Sequence, residues 1–152
     1  MVELTFEADI RASADRVFSL LADLRGYDRW LPPSPAFRGT TTISEGAIAV
    51  GTTYIEPGPL GTRRGVVTEM VRPTRLAFEQ PMTLKPAMLG VIGIKLLHTL
   101  TLEGPSVRLR RDLDLVPRGP VRWAMPFVVR MFRTENERMM RTLKSYAEAN
   151  PA

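Results

Sequence analysis

The chain has 152 residues, a length that suits one domain whose core needs neither disulfides nor metals. It contains no cysteine and one histidine, which excludes a disulfide framework, thiolate chemistry and a structural zinc site of the usual ligands. The net charge of +5 is spread along the sequence rather than gathered in a basic tract, so we expect solvated surfaces and no nucleic-acid partner.

The N-terminal segment predicts a strand followed by two short helices. Residues 2–10 alternate between apolar and polar types, which is typical of a half-buried strand. Ser13 suits the N-cap of a first helix that ends near Gly26, and a second helical segment over 27–31 closes before Pro32. The segment lacks the charged and apolar regions of a signal peptide, and no later apolar run could span a bilayer, so we expect a cytoplasmic protein.

The middle of the chain predicts six further strands. Segments rich in threonine, valine and aromatic residues alternate with turn formers such as Pro57-Gly58-Pro59 and Gly104-Pro105. Because the connections are short, we expect an antiparallel arrangement. The predicted strands cover residues 37–44, 51–56, 62–71, 74–80, 90–103 and 106–116. The segment 82–89 is expected to be a loop, with a mobile cover over a cavity as the alternative.

The C-terminal segment predicts the longest helix of the chain. Pro120 suits a first helical position, Pro126 predicts a kink or break, and Asn150-Pro151 predicts the end. The opposite helix face is rich in arginine and is therefore expected to be solvated. Apolar residues recur at helical spacing at Val121, Met125, Val128, Phe132, Met139, Leu143 and Tyr146.

This order of elements predicts an α+β fold. Seven antiparallel strands form a twisted, curved sheet, and the long helix lies across its concave face, with two short helices beside it. If the helix does not fill that face, a cavity remains between helix and sheet. The sequence contains neither a glycine-rich phosphate loop nor a Gly-x-Ser-x-Gly elbow, and it offers no serine placed to form a triad with His98.

The last two strands predict one polar pair on an apolar wall. A tight turn at Gly104-Pro105 places every inward-facing residue of one strand opposite an inward-facing residue of the other, and a slip by one residue would break that match. The only two polar residues on these faces, His98 and Arg111, are then neighbours. The inward faces contain Ile92, Ile94, Leu96, His98, Leu100 and Leu102 on one strand and Val107, Leu109, Arg111, Leu113 and Leu115 on the other.

The predicted pair has two interpretations. A buried arginine is costly unless it is paired, so Arg111 requires a carboxylate or an anionic ligand. Glu56 and Glu69 are candidate carboxylates for an internal network with His98. Alternatively, Arg111 holds an anionic group of a ligand, and His98 donates a hydrogen bond or acts as an acid or base.

The residues also resemble a known superfamily. The matching positions of the first helices are Val17, Phe18, Leu21, Asp23, Tyr27, Trp30 and Pro32, and they are followed by Val-Gly-Thr-Thr-Tyr at 50–54 and a strand–turn–strand pattern at 67–78. This pattern resembles the SRPBCC superfamily, which includes START lipid-transfer domains, polyketide cyclases and the birch-pollen allergen family. The resemblance implies one helix-grip domain over residues 1–152 that surrounds a hydrophobic cavity, and it carries over no universal catalytic residue.

Three functions are compatible with this resemblance. The first is binding of a small hydrophobic ligand, lipid-like or polyketide-like, without a cofactor. The second is an enzyme similar to a polyketide cyclase or aromatase that uses His98 and Arg111, and the third is a protein-interaction domain with a filled core. The identity of the ligand and the oligomeric state stay open. The expected ligand contacts are His98, Arg111, Ile94, Leu96, Leu100, Leu109, Leu113, Trp30, Phe78, Trp123, Phe127 and Met131.

Overall fold

The structure is a computed structural model and describes residues 1–151. Its seven strands form one antiparallel sheet in the order β1-β7-β6-β4-β3-β2, and the short β5 pairs with β3 and β6 beyond the end of β4. The strands are β1 (Val2–Ile10), β2 (Thr53–Pro57), β3 (Gly61–Val71), β4 (Arg75–Glu79), β5 (Met82–Leu84), β6 (Val91–Glu103) and β7 (Ser106–Arg118).

Two α-helices and three 3-10 helices complete the fold of residues 1–151. Ser13 caps α1 (Ala14–Ala22), because its Oγ accepts the N–H of Arg16 at 3.1 Å. Helix α2 (Met125–Ala149) is the long C-terminal helix. The 3-10 helices span Leu24–Arg29, Ala87–Leu89 and Pro120–Ala124. Within residues 1–151, no helix has an apolar stretch long enough to cross a membrane. The predicted α+β helix-grip architecture is confirmed.

The predicted strand at 37–44 is wrong. This segment makes only an isolated bridge from Thr41 to Ile55 at the sheet edge. Gly39 and Thr42 both have positive φ, at 98° and 50°, and such residues interrupt an extended strand. The seventh strand is β5 instead, so the prediction of a loop over the whole of 82–89 is also wrong.

Helix α2 begins at Met125, next to the break predicted at Pro126. Pro120 starts a 3-10 helix and Pro126 lies in the first turn of α2, where a missing N–H costs little. The expected end is confirmed, since Asn150 caps the helix. Trp123 is 84% exposed and Phe127 is 64% exposed, so their predicted place among the ligand contacts of the cavity is wrong. The apolar spacing itself explains their exposure, because each lies two residues after a buried member of the series, Val121 or Met125, and a step of two residues leads to the opposite helix face.

The register of β6 and β7 is the predicted one. His98 lies opposite Arg111, with Leu96 opposite Leu113 and Leu100 opposite Leu109. The predicted inward faces are buried except for Leu102, which is exposed at the strand end. Helices α1 and α2 cover this wall, and the hydrophobic core lies between the sheet and the two helices.

Candidate ligand-binding site

A cavity of about 110 Å³ lies between the sheet and α2. Most of its wall is apolar, and six charged or amide side chains add polarity: Glu56, Arg63, Gln80, Arg111, Glu135 and Asn136. A mostly apolar pocket with a few convergent polar groups is the usual form of a small-molecule site. The remaining wall includes Leu24, Tyr27, Leu31, Phe37, Tyr54, Phe78, Met82, Leu96, Leu113, Met131, Phe132 and Met139.

Arg111 is the buried cation of this cavity. Its Nε donates to Oδ1 of Asn136 at 2.7 Å, and its Nη1 donates to Nε2 of His98 at 2.6 Å. Asn136 is held in turn, because its Nδ2 donates to the carbonyl of Phe132 at 2.7 Å. Strand β7 and helix α2 therefore fix the orientation of the guanidinium from two sides.

The contacts of His98 determine its tautomer. Its Nδ1 lies 3.3 Å from the carbonyl oxygen of Leu76, which can only accept a hydrogen bond. Nδ1 therefore carries the proton, and Nε2 accepts from Arg111. His98 is fully buried, and both ring nitrogens have protein partners.

Burial and the neighbouring charge set the protonation of this pair. Burial, followed by the positive charge of Arg111, holds the pKa of His98 well below its ordinary value. Burial lowers the pKa of Arg111 to about 10, opposed by Tyr27 and Glu56. At neutral pH Arg111 is therefore charged and His98 is neutral.

The predicted carboxylate partners do not bond to Arg111. Glu69 lies at the surface, where it pairs with Arg75 at 3.0 Å. Glu56 is buried at the cavity, but its two oxygens accept from Thr40 at 2.8 Å and from Nε of Arg63 at 3.1 Å. The neutral side chains of His98 and Asn136 are the direct partners of Arg111, so the internal network lacks the glutamate that the sequence predicted.

Two tyrosines add neutral polar groups to the wall. The Tyr54 hydroxyl donates to Oε1 of Gln80 at 2.6 Å, and the Tyr27 hydroxyl donates to the carbonyl of Leu21 at 2.5 Å. Burial raises the pKa of both hydroxyls well above its usual range. Both therefore stay protonated at neutral pH and can accept a further hydrogen bond.

Arg111 retains hydrogen-bonding capacity toward the cavity. Its Nη2 has no hydrogen-bond partner and no carboxylate within salt-bridge distance among residues 1–151. It is not enclosed by protein either, since the one buried side-chain donor without a partner in the described chain is Nε1 of Trp30. A cavity with an unpaired guanidinium N–H group can bind an anionic or hydrogen-bond-accepting group.

The predicted contact residues divide into three groups. The first group lines the cavity and consists of Arg111, Leu96, Leu113, Phe78 and Met131. The second group is buried behind the wall and consists of His98, Ile94, Leu100, Leu109 and Trp30. Trp123 and Phe127 form the third group and lie at the surface. The structure brings His98 and Arg111 together, but only Arg111 lines the cavity.

Sequence reasoning missed Asn136, Tyr54, Gln80 and Arg63 as members of the wall. Asn136 had a visible signal, because the apolar spacing of α2 steps by seven residues from Phe132 to Met139 and Asn136 occupies the skipped inward position. The other three had no signal of this kind. Within residues 1–151, no group of three potential ligands could hold a metal ion.

The fold is similar to that of several solved structures. A START superfamily protein from Mycobacterium smegmatis has a TM-score of 0.72 at 16% identity, with 97% of each chain covered. A norcoclaurine synthase mutant of Thalictrum, solved with a transition-state analogue, has a TM-score of 0.74 at 13% identity and covers 99% of this chain and 96% of its own. Protein Mll3558 from Rhizobium loti has a TM-score of 0.66 at 20% identity, with 93% and 96% covered.

These identities are low, so the solved structures establish the fold alone. No curated protein sequence matches the chain. The predicted resemblance to the SRPBCC superfamily is nevertheless confirmed at the level of the family. Residues 1–148 match the family described as polyketide cyclase / dehydrase and lipid transport, and the chain therefore belongs to that family.

Proposed function

We propose that the protein binds a small, mostly apolar molecule whose single anionic or acceptor group contacts Arg111. The apolar wall would take the body of the ligand, and the guanidinium would orient it. The observation that carries this proposal is the unpaired Nη2 of a charged Arg111 that lines the cavity and has no carboxylate bonded to it. The family description, which includes lipid transport, supports the same class of ligand.

The position of His98 favours binding over acid–base catalysis. A general base must reach the proton that it removes, directly or through one water. His98 does not line the cavity, and its two nitrogens bond to Leu76 and Arg111. We therefore assign it a positioning role, in which it holds one edge of the guanidinium.

The test compares a charged probe with a neutral one. 2-Naphthoate and its neutral amide have similar size and differ in charge, so fluorescence titration measures the contribution of the carboxylate. We expect the wild type to prefer naphthoate, and we expect Arg111→Gln to remove that preference, with a loss of roughly tenfold to a hundredfold in naphthoate affinity. Native mass spectrometry of the purified protein would identify a copurified ligand.

The neighbouring Arg110 provides a matched control. It lies on the outer face of β7, where it pairs with Asp112 at 3.1 Å, and it does not line the cavity. Arg110→Gln has the same change of charge and should leave naphthoate binding unchanged. Equal affinities of naphthoate and its amide in the wild type would contradict the proposal.

A further inference from the structure

The cavity reaches the surface at the loop between β2 and β3. Leu60 in this loop lines the cavity and is also 44% exposed. The N–H of Lys85 donates to the Leu60 carbonyl at 2.9 Å, so the connection between β5 and β6 lies beside the loop. This connection carries two further exposed apolar side chains, Met88 at 79% and Leu89 at 40%.

The connection between β7 and α2 joins the same surface. Gly90 and Arg118 are in close backbone contact, because a Cβ on Gly90 would lie 1.9 Å from the carbonyl oxygen of Arg118. The 3-10 helix Ala87–Leu89 therefore packs near the 3-10 helix Pro120–Ala124, which carries the exposed Trp123.

The first turn of α2 extends this surface toward the cavity. Phe127 is exposed and lies one helical turn before Met131, which lines the cavity. Of the nine exposed large apolar residues within residues 1–151, five belong to this end and four are scattered elsewhere. We call the five the apolar rim: Leu60, Met88, Leu89, Trp123 and Phe127.

The segments that carry the apolar rim are also basic. No acidic residue occurs at positions 57–68, 80–102 or 115–134. A cluster of exposed apolar residues among cations is the composition of a surface that binds anionic lipid headgroups and inserts into the acyl boundary. The exposed cations of these segments include Lys85, Arg118, Arg122 and Arg130.

We propose that the apolar rim docks the cavity mouth onto an anionic lipid membrane. The rim side chains enter the headgroup region while the arginines contact lipid phosphates. A second copy of this chain fits the surface less well, since the cations beside the apolar rim of one copy would repel those of the other. Transfer of a ligand between membrane and cavity rests on the proposed function, whereas the docking itself does not require an occupied cavity.

The fluorescence of Trp123, a residue of the apolar rim, reports vesicle binding. The chain has two tryptophans, and because Trp30 is buried, a change on vesicle binding comes from Trp123. We expect phosphatidylcholine vesicles containing phosphatidylserine to shift the emission to shorter wavelength, and brominated lipid to quench it. Vesicles of phosphatidylcholine alone should bind more weakly, and added salt should weaken binding to the anionic vesicles.

Variants separate the apolar and electrostatic contributions. Phe127→Ala should lower the affinity for anionic vesicles roughly tenfold, and Arg122→Gln should lower it roughly fivefold. Leu102→Ala and Arg11→Gln are matched controls at the opposite end of the sheet, where Leu102 is 66% exposed, and should leave binding unchanged. Sedimentation with vesicles measures each affinity.

Three outcomes would overturn the docking proposal. They are an absence of vesicle binding at low salt, equal losses in the rim and control variants, and a Trp123 shift caused by polyglutamate or by self-association but not by vesicles. Arg111→Gln distinguishes the two proposals, because it should lose naphthoate binding and retain vesicle binding. The naphthoate titration can therefore contradict the proposed function while the vesicle experiment supports membrane docking, and the reverse is also possible.

Discussion

At the residue scale, His98 and Arg111 form a buried pair in which one partner carries the charge. A second positive charge at His98 would lie within 2.6 Å of the guanidinium and far from solvent. The protein avoids this by keeping His98 neutral, with its proton on Nδ1 beside Leu76. The neutral Nε2 is then a strong acceptor for Arg111.

Loss of the imidazole should destabilise the protein and loosen Arg111. We expect His98→Ala to lower the free energy of unfolding by about 2–5 kcal/mol, because it creates a void and leaves Nη1 of Arg111 without an acceptor. Urea denaturation measures the loss. Lys95→Ala, on the exposed face of the same strand, should change it by less than about 0.5 kcal/mol. Similar small losses in both variants would contradict the role of His98.

The low pKa of His98 predicts acid sensitivity. Below the ordinary histidine pKa of about 6.5, the unfolded chain binds a proton at His98 that the folded protein does not bind. The free energy of unfolding should therefore fall by up to about 1.4 kcal/mol per pH unit as pH drops from about 6.5 toward the folded pKa.

Denaturation of His98→Gln over the same pH range isolates this effect. Glutamine does not titrate, so the variant should lack the histidine contribution while keeping the contributions of its carboxylates. Equal pH dependence of wild type and His98→Gln would show that folding does not lower the pKa of His98.

At the element scale, β2 and β3 position the aromatic wall of the cavity. Tyr54 lies opposite Gly65 in their register, and its ring covers the glycine so closely that a Cβ on Gly65 would lie 2.1 Å from a ring carbon. The same tyrosine donates to Gln80 and packs edge-on against Phe78. The missing side chain of Gly65 thus allows Tyr54 to lie flat on the sheet.

Substitution of this glycine should therefore disturb the cavity wall. We expect Gly65→Ala to lower the free energy of unfolding by about 1–3 kcal/mol, because the rigid ring of Tyr54 must move. Gly93→Ala is the matched control in β6, where the added Cβ would lie 3.6 Å from Val116, an ordinary contact. Urea denaturation compares the two, and an equal or larger loss in Gly93→Ala would refute the explanation.

At the scale of the whole molecule, α2 has two halves with different surroundings. Toward its C-terminus, Leu143 and Ala147 are completely buried and seal the core. Toward its N-terminus, Met131 and Phe132 are half-buried and line the cavity. One end of the molecule is therefore filled, and the other contains the cavity.

A ligand in the cavity should stabilise the entire fold by mass action. Naphthoate at a hundredfold excess over its Kd should add about 2.7 kcal/mol to the free energy of unfolding. For a chain of this length, we expect a rise in Tm of roughly 5–10 °C in a thermal scan. The neutral amide at the same concentration should raise Tm less, and Arg111→Gln should respond equally little to both. An unchanged Tm of the wild type at saturating naphthoate would contradict the prediction.

The sequence alone determined the strand facing and register around His98 and Arg111. The pattern has a period of two, and the turn at Gly104-Pro105 is tight, so only one register keeps both apolar faces inward. The Asn150-Pro151 pair likewise predicted the end of α2, because such stop signals are local. Local signals wrongly predicted a strand at 37–44, where residues with positive φ interrupt the extended backbone.

Only the tertiary structure decided which groups other than His98 meet at Arg111. Asn136 is 25 residues away on another element, and the orientation of α2 on the sheet brings the two together. Glu56 bonds to Thr40 and to Arg63, its register partner between β2 and β3, rather than to Arg111. Side-chain pairing between distant elements depends on rotamers and packing that no periodicity records. The sequence thus predicted a buried arginine beside a histidine, and tertiary packing left the Nη2 of that arginine without a partner at the cavity.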